Sequence, residues 1–491
     1  MNRATFLGFA TACTFSFYTF SLAVGPTPAA AQPPAGPSPA TDAANGFEAA
    51  NTAGLSEPFE REITEFLRDH EIPGLSLAVT YRGRLVLARG FGVVDEATGE
   101  AVTADSRFRI ASLSKPITAA AILRLADSGR LGLDDPVFGR LGWDGLCREH
   151  GIRPEPRLEQ VTVRQLLQHR GGWDRDASFD PMFRGREFAE ELGEPSPAGP
   201  QSIIRCMLRR PLDFDPGERY AYSNFGYCLL GRLIERLSGK SYEEYVRSEV
   251  LLPLGARDTF LGRTLPEHRL EREVRYHHPG SGPSVFQEDL GEPVPHPYGA
   301  WCLESMDAHG GWVSTASDLA LFAAALDREA SNPILTAAAI REMHARPPPR
   351  RLRSTDANPS TDANPSTDAN PSTDANPSTD ANSSTDTNSS TDTNSSTDTG
   401  SEAVFYSCGW MNRVVGAGRV NRWHTGSLPG TLTIIIRRHD DKTFVALLNT
   451  RTSSRGVDLS APLDRLLHRA ADAVVSWPEV DPGIPAAEEP H

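Results

Sequence analysis

Ser112 and Lys115 stand three residues apart at the front of a long apolar run, FRIASLSKPITAAAILRLADSG, residues 108–129. On a helix that spacing places both side chains on one face. An alcohol beside an amine is what nucleophilic catalysis needs, because the hydroxyl attacks well only when a neighbour takes its proton. Composition singles the lysine out. Of 49 basic residues only Lys115, Lys240 and Lys442 are lysine, and the rest are arginine. Arginine keeps its proton in a protein, whereas a desolvated lysine can lose it. To work as a base near neutral pH the amine must fall well below its ordinary value of about 10.4. Two further clusters carry reactive side chains: Tyr222-Ser223-Asn224, just after Pro216-Gly217, and His424-Thr425-Gly426-Ser427. Each also has a plain structural reading. Ser and Asn cap helices, and His424 and Gly426 fit the end of a strand.

The elements that must position these groups follow from pattern. Residues 117–126 are apolar nearly all round, with Arg124 the only charge, which predicts a helix buried at a domain centre. Pro116 is tolerated only in a first turn, so the helix begins close to Leu113 with Ser112 at its tip. The positive end of the helix dipole there favours an oxyanion. Upstream, an amphipathic helix is expected from Pro58 through Phe66, then strands over 75–81 and 84–89 joined at Arg82-Gly83, then a turn-rich stretch over 93–102. Signals from 131 to 251 are helical, with helices over 163–169 and 227–237 ended by glycines. Residues 265–300 read as loop, and Ser317-Asp318 opens an apolar helix through Leu326. Strand patterns return over 405–411, 419–424, 430–437 and 443–449, and a helix over 459–475 closes the ordered region. Strands at both ends and helices between them predict an α/β (α+β) fold. Its antiparallel sheet is flanked by N- and C-terminal helices and carries an inserted, mainly helical subdomain.

Bulk properties narrow the class. The net charge of −15 excludes nucleic acid and anionic membrane as partners. The hexapeptide STDANP, drifting to STDTNS, repeats over 354–399 and supplies eight aspartates, leaving −7 for the rest. It has no large apolar residue and reads as a disordered insert over 350–402. Arg3, the apolar run 6–24 and Ala29-Ala30-Ala31 read as a signal peptide, residues 1–31, which implies export to the periplasm or medium. After cleavage no stable membrane insertion is expected, while an uncleaved anchor is the alternative. Residues 32–57 read as a disordered leader and 477–491 as a disordered tail. Five cysteines follow the leader (147, 206, 228, 302 and 408), an odd number without metal-site spacing, so buried free thiols are expected. His277, His278, His296 and His309 also lack metal-ligand spacing, so no metal site is expected.

SLSK, YSN and HTG, in that order, resemble the three motifs of class C serine β-lactamases and the related penicillin-binding DD-peptidases and esterases. The segments FRIASLSK, LLQHRGG, PGERYAYSNFGYCLLG, AHGGWVSTASDLALF and HTGSLPG are similar to family text, and the resemblance runs over 58–476 apart from the repeat. It implies a β-lactamase/transpeptidase-like fold and an acyl-enzyme on Ser112, formed and hydrolysed without metal or organic cofactor. Lys115 and Tyr222 would share the serine's proton, Tyr222 with a phenol pKa depressed by the nearby amine. Asn224, in an extended segment, would bond Lys115 and the substrate amide. The N–H groups of Ser112 and Ser427 would form the oxyanion hole, and Thr425 in the His424-Thr425-Gly426 motif would bind the substrate carboxylate or acyl side. His169 and His309, in family-like segments, either line the cleft or are structural. Many β-lactamases have lysine where this chain has His424, and a histidine near its ordinary pKa of about 6.5 grips a carboxylate less strongly. That departure favours D-amino-acid peptides and amides over β-lactams as substrates. Simple esters, as for a carboxylesterase of this fold, come second. A non-catalytic member binding cell-wall peptide is the rival of another class.

Overall fold

Strands from the two ends of the chain pair with one another and make the sheet that carries the site. The computed structural model describes residues 53–348 and 404–479. The signal peptide, most of the leader, the repeat and the last twelve residues therefore lie outside the described residues. The N-terminal strands are β1 (Gly74–Tyr81), β2 (Arg84–Asp95) and the short β3 (Glu100–Ala101). The C-terminal ones are β4 (Val404–Tyr406), β5 (Met411–Val414), β6 (Val420–Leu428), β7 (Thr431–Arg437) and β8 (Lys442–Leu448). They form one antiparallel sheet in the order β3-β2-β1-β8-β7-β6-β5-β4, with β1 joining β8 through Leu75 opposite Leu448.

Both faces of the central strands are covered, so they read as continuous apolar runs instead of alternating ones. On one face Leu75, Leu77, Val79, Leu432, Ile434 and Ile436 pack beneath the terminal helices α1 (Ala53–His70) and α6 (Ser460–Asp472). On the other, Ala78, Ile435, Val445 and Leu447 meet the larger core around α2 (Ser114–Asp127), α3 (Val163–Leu167), α4 (Asn224–Ser238) and α5 (Ala316–Ala325). Ten consecutive residues of α2, Ser114 to Leu123, are buried, as expected of a helix with no polar face.

Several boundaries differ from the sequence reading. α1 starts at Ala53, inside the expected leader, because Leu55 reaches the core at 2% exposure. Trp477, assigned to the tail, packs on Tyr81 with ring centroids 5.1 Å apart. β2 runs on to Asp95 where a turn-rich stretch was expected, and its glycines explain why. A Cβ at Gly90 would lie 2.0 Å from the Val102 carbonyl oxygen, so the missing side chain allows close backbone approach and does not mark a strand end. The run 405–411 is broken between β4 and β5 by a turn at Gly409 (φ +84°), which presses on Pro116 and Ala119 of α2. The 265–300 stretch is mostly loop but contains a small hairpin, Ser281–Pro283 with Pro293–Pro295. Cys147, Cys206, Cys228 and Cys408 are buried free thiols, and Cys302 is free and half-buried.

Candidate active site

Ser112 is presented by a strained turn. Ala111 has φ +48°, a left-handed conformation costing a non-glycine residue about 1–2 kcal/mol. One turn of 3-10 helix, Ala111–Leu113, then runs straight into α2. Ile110 anchors this turn: its N–H donates to Trp312 O at 2.9 Å and its carbonyl accepts the Thr433 hydroxyl at 2.9 Å. Gly426 of β6 makes the docking possible, because a Cβ there would sit 2.3 Å from the Ile110 carbonyl oxygen. The sheet thus fixes the serine through a residue that must lack a side chain.

Four of the expected residues meet at that turn. Lys115 Nζ lies 3.0 Å from Ser112 Oγ, 2.7 Å from Asn224 Oδ1 and 2.9 Å from the His309 carbonyl oxygen. The Tyr222 hydroxyl lies 2.9 Å from Ser112 Oγ. Asn224 Nδ2 donates to Asp180 Oδ2 at 2.6 Å, which turns the amide so that its oxygen faces the amine. Asn224 is the first residue of α4, not part of an extended segment as expected, and Ser223 caps that helix by accepting from Gly226 N at 3.2 Å. Capping and site-building therefore coexist in one tripeptide: Ser223 holds the helix while Tyr222 reaches Ser112 and Asn224 reaches Lys115.

Burial sets the protonation states. Lys115 is 0% exposed, and loss of hydration drives its pKa well below 10.5; Asp180 opposes this and Arg175 assists it. The amine thus gives up its proton more readily than an exposed lysine does. Its Nζ donates to the carbonyl oxygens of Asn224 and His309, which can only accept, and lies 3.0 Å from Ser112 Oγ, the one partner to which a deprotonated amine could turn its lone pair. Tyr222 shifts opposite to expectation: burial pushes its phenol up to about 12, although Arg175 and the Ser112 contact pull it down. Lys115 is not among the groups that pull it down, and burial prevails, so the phenol remains a donor.

The third motif is arranged differently. His424 is buried, its Nε2 3.0 Å from the Tyr406 hydroxyl and its Nδ1 2.7 Å from the Thr425 carbonyl oxygen. Burial, then the nearby Lys115, lower its pKa to about 3, so it is neutral. Ser427 lines the cleft together with Ser112, Asn224, His309, Arg175 and Arg451. Val415 N donates to Arg419 O at 2.9 Å across the β5–β6 turn, so odd-numbered residues of β6 direct their backbone groups toward the β5 side. β5 ends opposite Trp423, which leaves the Ser427 N–H unclaimed by a strand, and Ser427 lines the same cleft as Ser112. His169 stacks on Tyr222 with centroids 4.3 Å apart and accepts from Ser223 N at 3.1 Å, steadying the tyrosine loop.

Sequence reasoning missed Asp180, Arg175, Arg451 and the His309 carbonyl. Asp180 carried a usable signal, since Asp-Pro opens a helical turn and Asp180 caps Pro181–Phe183. The arginines were hidden among many others, and a backbone carbonyl has no sequence signature. Among the described residues no group of three or more His, Cys, Asp and Glu could hold a metal ion.

Residues 59–469 match the family model described as Beta-lactamase. The chain belongs to the Beta-lactamase family. Among curated relatives of this Beta-lactamase-family chain, Penicillin-binding protein 4 of Amycolatopsis lactamdurans is 30% identical over 263 residues, covering 52% of this chain and 59% of that protein. Another, Penicillin-binding protein 4* of Bacillus subtilis (strain 168), is 31% identical over 205 residues, covering 41% of each. The chain thus spans about half the length of the curated relatives it matches. Among solved structures, D-amino acid amidase from Ochrobactrum anthropi SV3 complexed with D-phenylalanine superposes with a TM-score of 0.56 at 22% identity, over 86% of this chain and 98% of that one. These likenesses show the β-lactamase/transpeptidase-like fold that the motif order implied.

Proposed function

We propose that this protein is an exported serine hydrolase that forms an acyl-enzyme on Ser112 and hydrolyses peptide, amide or ester substrates, D-amino-acid peptides and amides first. One observation carries the reading: a fully buried amine, its pKa driven well below 10.5 by burial, stands 3.0 Å from the hydroxyl of a cleft serine. A module that only bound cell-wall peptide would have no use for so costly a group. Family membership, the similarity to penicillin-binding proteins and a fold shared with a D-amino acid amidase support the substrate class. The N-terminal sequence supports export, and among the described residues no helix is long and apolar enough to cross a membrane.

Proton movements follow from the donors. Lys115 takes the Ser112 proton as Oγ bonds to the substrate carbonyl carbon. The N–H groups of Ser112 and Ser427 receive the developing oxyanion, a contribution typically worth about 3 kcal/mol per donor. As the bond to the leaving group breaks, Tyr222 gives that group its proton, and the Lys115 ammonium, whose Nζ lies 4.7 Å from the centre of the tyrosine ring, returns a proton to the phenolate. Water then repeats the sequence on the acyl-enzyme, returning Ser112 and releasing the acid. Lysine is the base and tyrosine the acid.

The pH profile tests this division. Only neutral Lys115 accepts a proton, so kcat/KM rises with pH through its lowered pKa and reaches a plateau below 10.5. The plateau holds until Tyr222 ionises, near about 12. An ascending limb centred at the ordinary lysine value would contradict the reading.

A further inference from the structure

Arg175 stands at the cleft wall with its hydrogen-bonding capacity uncommitted. Its side chain is only 14% exposed, and its nearest partners are Asp176 at 3.8 Å, Asp180 at 4.0 Å and the Tyr222 ring at 4.8 Å, all beyond hydrogen-bond length. None of its nitrogens is both buried and unpaired, so its unpaired donors face the open cleft, where a ligand can reach them. The carboxylate that would best satisfy them is already engaged: Asp180 accepts from Asn224 Nδ2 at 2.6 Å and from Met182 N at 3.1 Å. The cleft lining contains Arg175 and Arg451 and no acidic residue. At the same time the His-Thr-Gly motif supplies no charge, because His424 is buried and neutral.

The geometry points to Arg175, outside all three motifs, as the residue that recognises the substrate, by pairing with a carboxylate on the part lying along the Tyr222–Asn224 wall. This rests on the serine-hydrolase reading and narrows its substrates to carboxylate-bearing amides and esters. A planar guanidinium takes a carboxylate through two parallel hydrogen bonds. The same pairing would draw Arg175 toward the ligand and away from the Tyr222 ring, so recognition and the phenol's environment are linked at one side chain.

Two substrate pairs locate the carboxylate: N-acyl-D-alanyl-D-alanine against its C-terminal amide, and p-nitrophenyl hydrogen succinate against its methyl ester. The wild type is expected to prefer the acid in one pair by roughly 10- to 100-fold in kcat/KM, mostly through KM. In Arg175→Gln that preference falls to near unity, and Arg175→Lys, which keeps the charge but not the fork, restores part of it. A preference that survives Arg175→Gln, a wild type indifferent to the carboxylate in both pairs, or an equal loss on acid and neutral partners overturns the proposal. The last result would make Arg175 a support for Tyr222 alone. Labelling of the wild type by a small fluorophosphonate separates the two levels. An unlabelled wild type overturns the hydrolase reading and this inference with it, whereas labelling without carboxylate preference overturns only this inference.

Discussion

Lys115→Arg is expected to lower kcat/KM by about 10⁴-fold, the upper end of what a positioned proton acceptor contributes. The substitution keeps a positive charge beside Ser112 but removes the ability to accept a proton. If the lysine acted only by its charge, arginine would preserve activity. Its position argues against that: the amine is 0% exposed, its pKa is lowered well below 10.5 by burial, and two carbonyl oxygens occupy its N–H bonds. Lys115→Met should be equally inactive and provides a readout independent of turnover. A lysine whose folded pKa is lowered binds fewer protons in the folded chain than in the unfolded one, over the window from that lowered value up to 10.5. In that window wild-type stability therefore rises with pH, and the part due to Lys115 is fully regained above 10.5. Denaturation midpoints across this range should climb more steeply for the wild type than for Lys115→Met. Equal slopes would show that the amine is charged in the folded state, and substantial turnover by Lys115→Arg would end its role as base.

Tyr222→Phe is expected to cost about 10²–10³-fold on amides and much less on p-nitrophenyl esters. The ring remains packed, with His169 4.3 Å away and the Arg175 guanidinium at 4.8 Å, so the change removes little besides the hydroxyl. An amine cannot leave without a proton, whereas nitrophenolate leaves as the anion, so a lost acid is felt mainly by the amide. A phenolate base would give the reverse signature, with similar losses on both substrates because both need Ser112 activated. The value of about 12 for the phenol favours the acid. Steady-state comparison of one acyl group on the two leaving groups decides it.

Residue types and local spacing made part of this site legible. Pro116 fixed where α2 could begin, and the offset of three from Ser112 to Lys115 survived because a 3-10 turn and the first turn of α2 join without a break. The rarity of lysine pointed to a residue that is fully buried. The terminal strands were legible because both faces of β1, β7 and β8 are covered, which leaves an apolar run too short for a helix. What sequence alone missed depends on contacts between distant segments. Gly90 looked like a turn residue because the approach of Val102 is invisible locally. The phenol pKa was misjudged in direction because burial, a property of the whole fold, outweighs Arg175 and the Ser112 contact that pull it down. His424 resembled a charged cleft residue by motif, yet it is buried and neutral with its Nε2 on the Tyr406 hydroxyl, while Ser427 lines the cleft.

The central claim is that Ser112 is acylated with Lys115 as its base. Its most direct test is mass spectrometry of the protein after brief exposure to a fluorophosphonate and, separately, to a slowly hydrolysed penicillin, followed by mapping of the modified peptide. A single adduct on Ser112 is expected, absent from Ser112→Ala and formed far more slowly in Lys115→Arg. An adduct on another residue, or one that persists undiminished in Ser112→Ala, would contradict it.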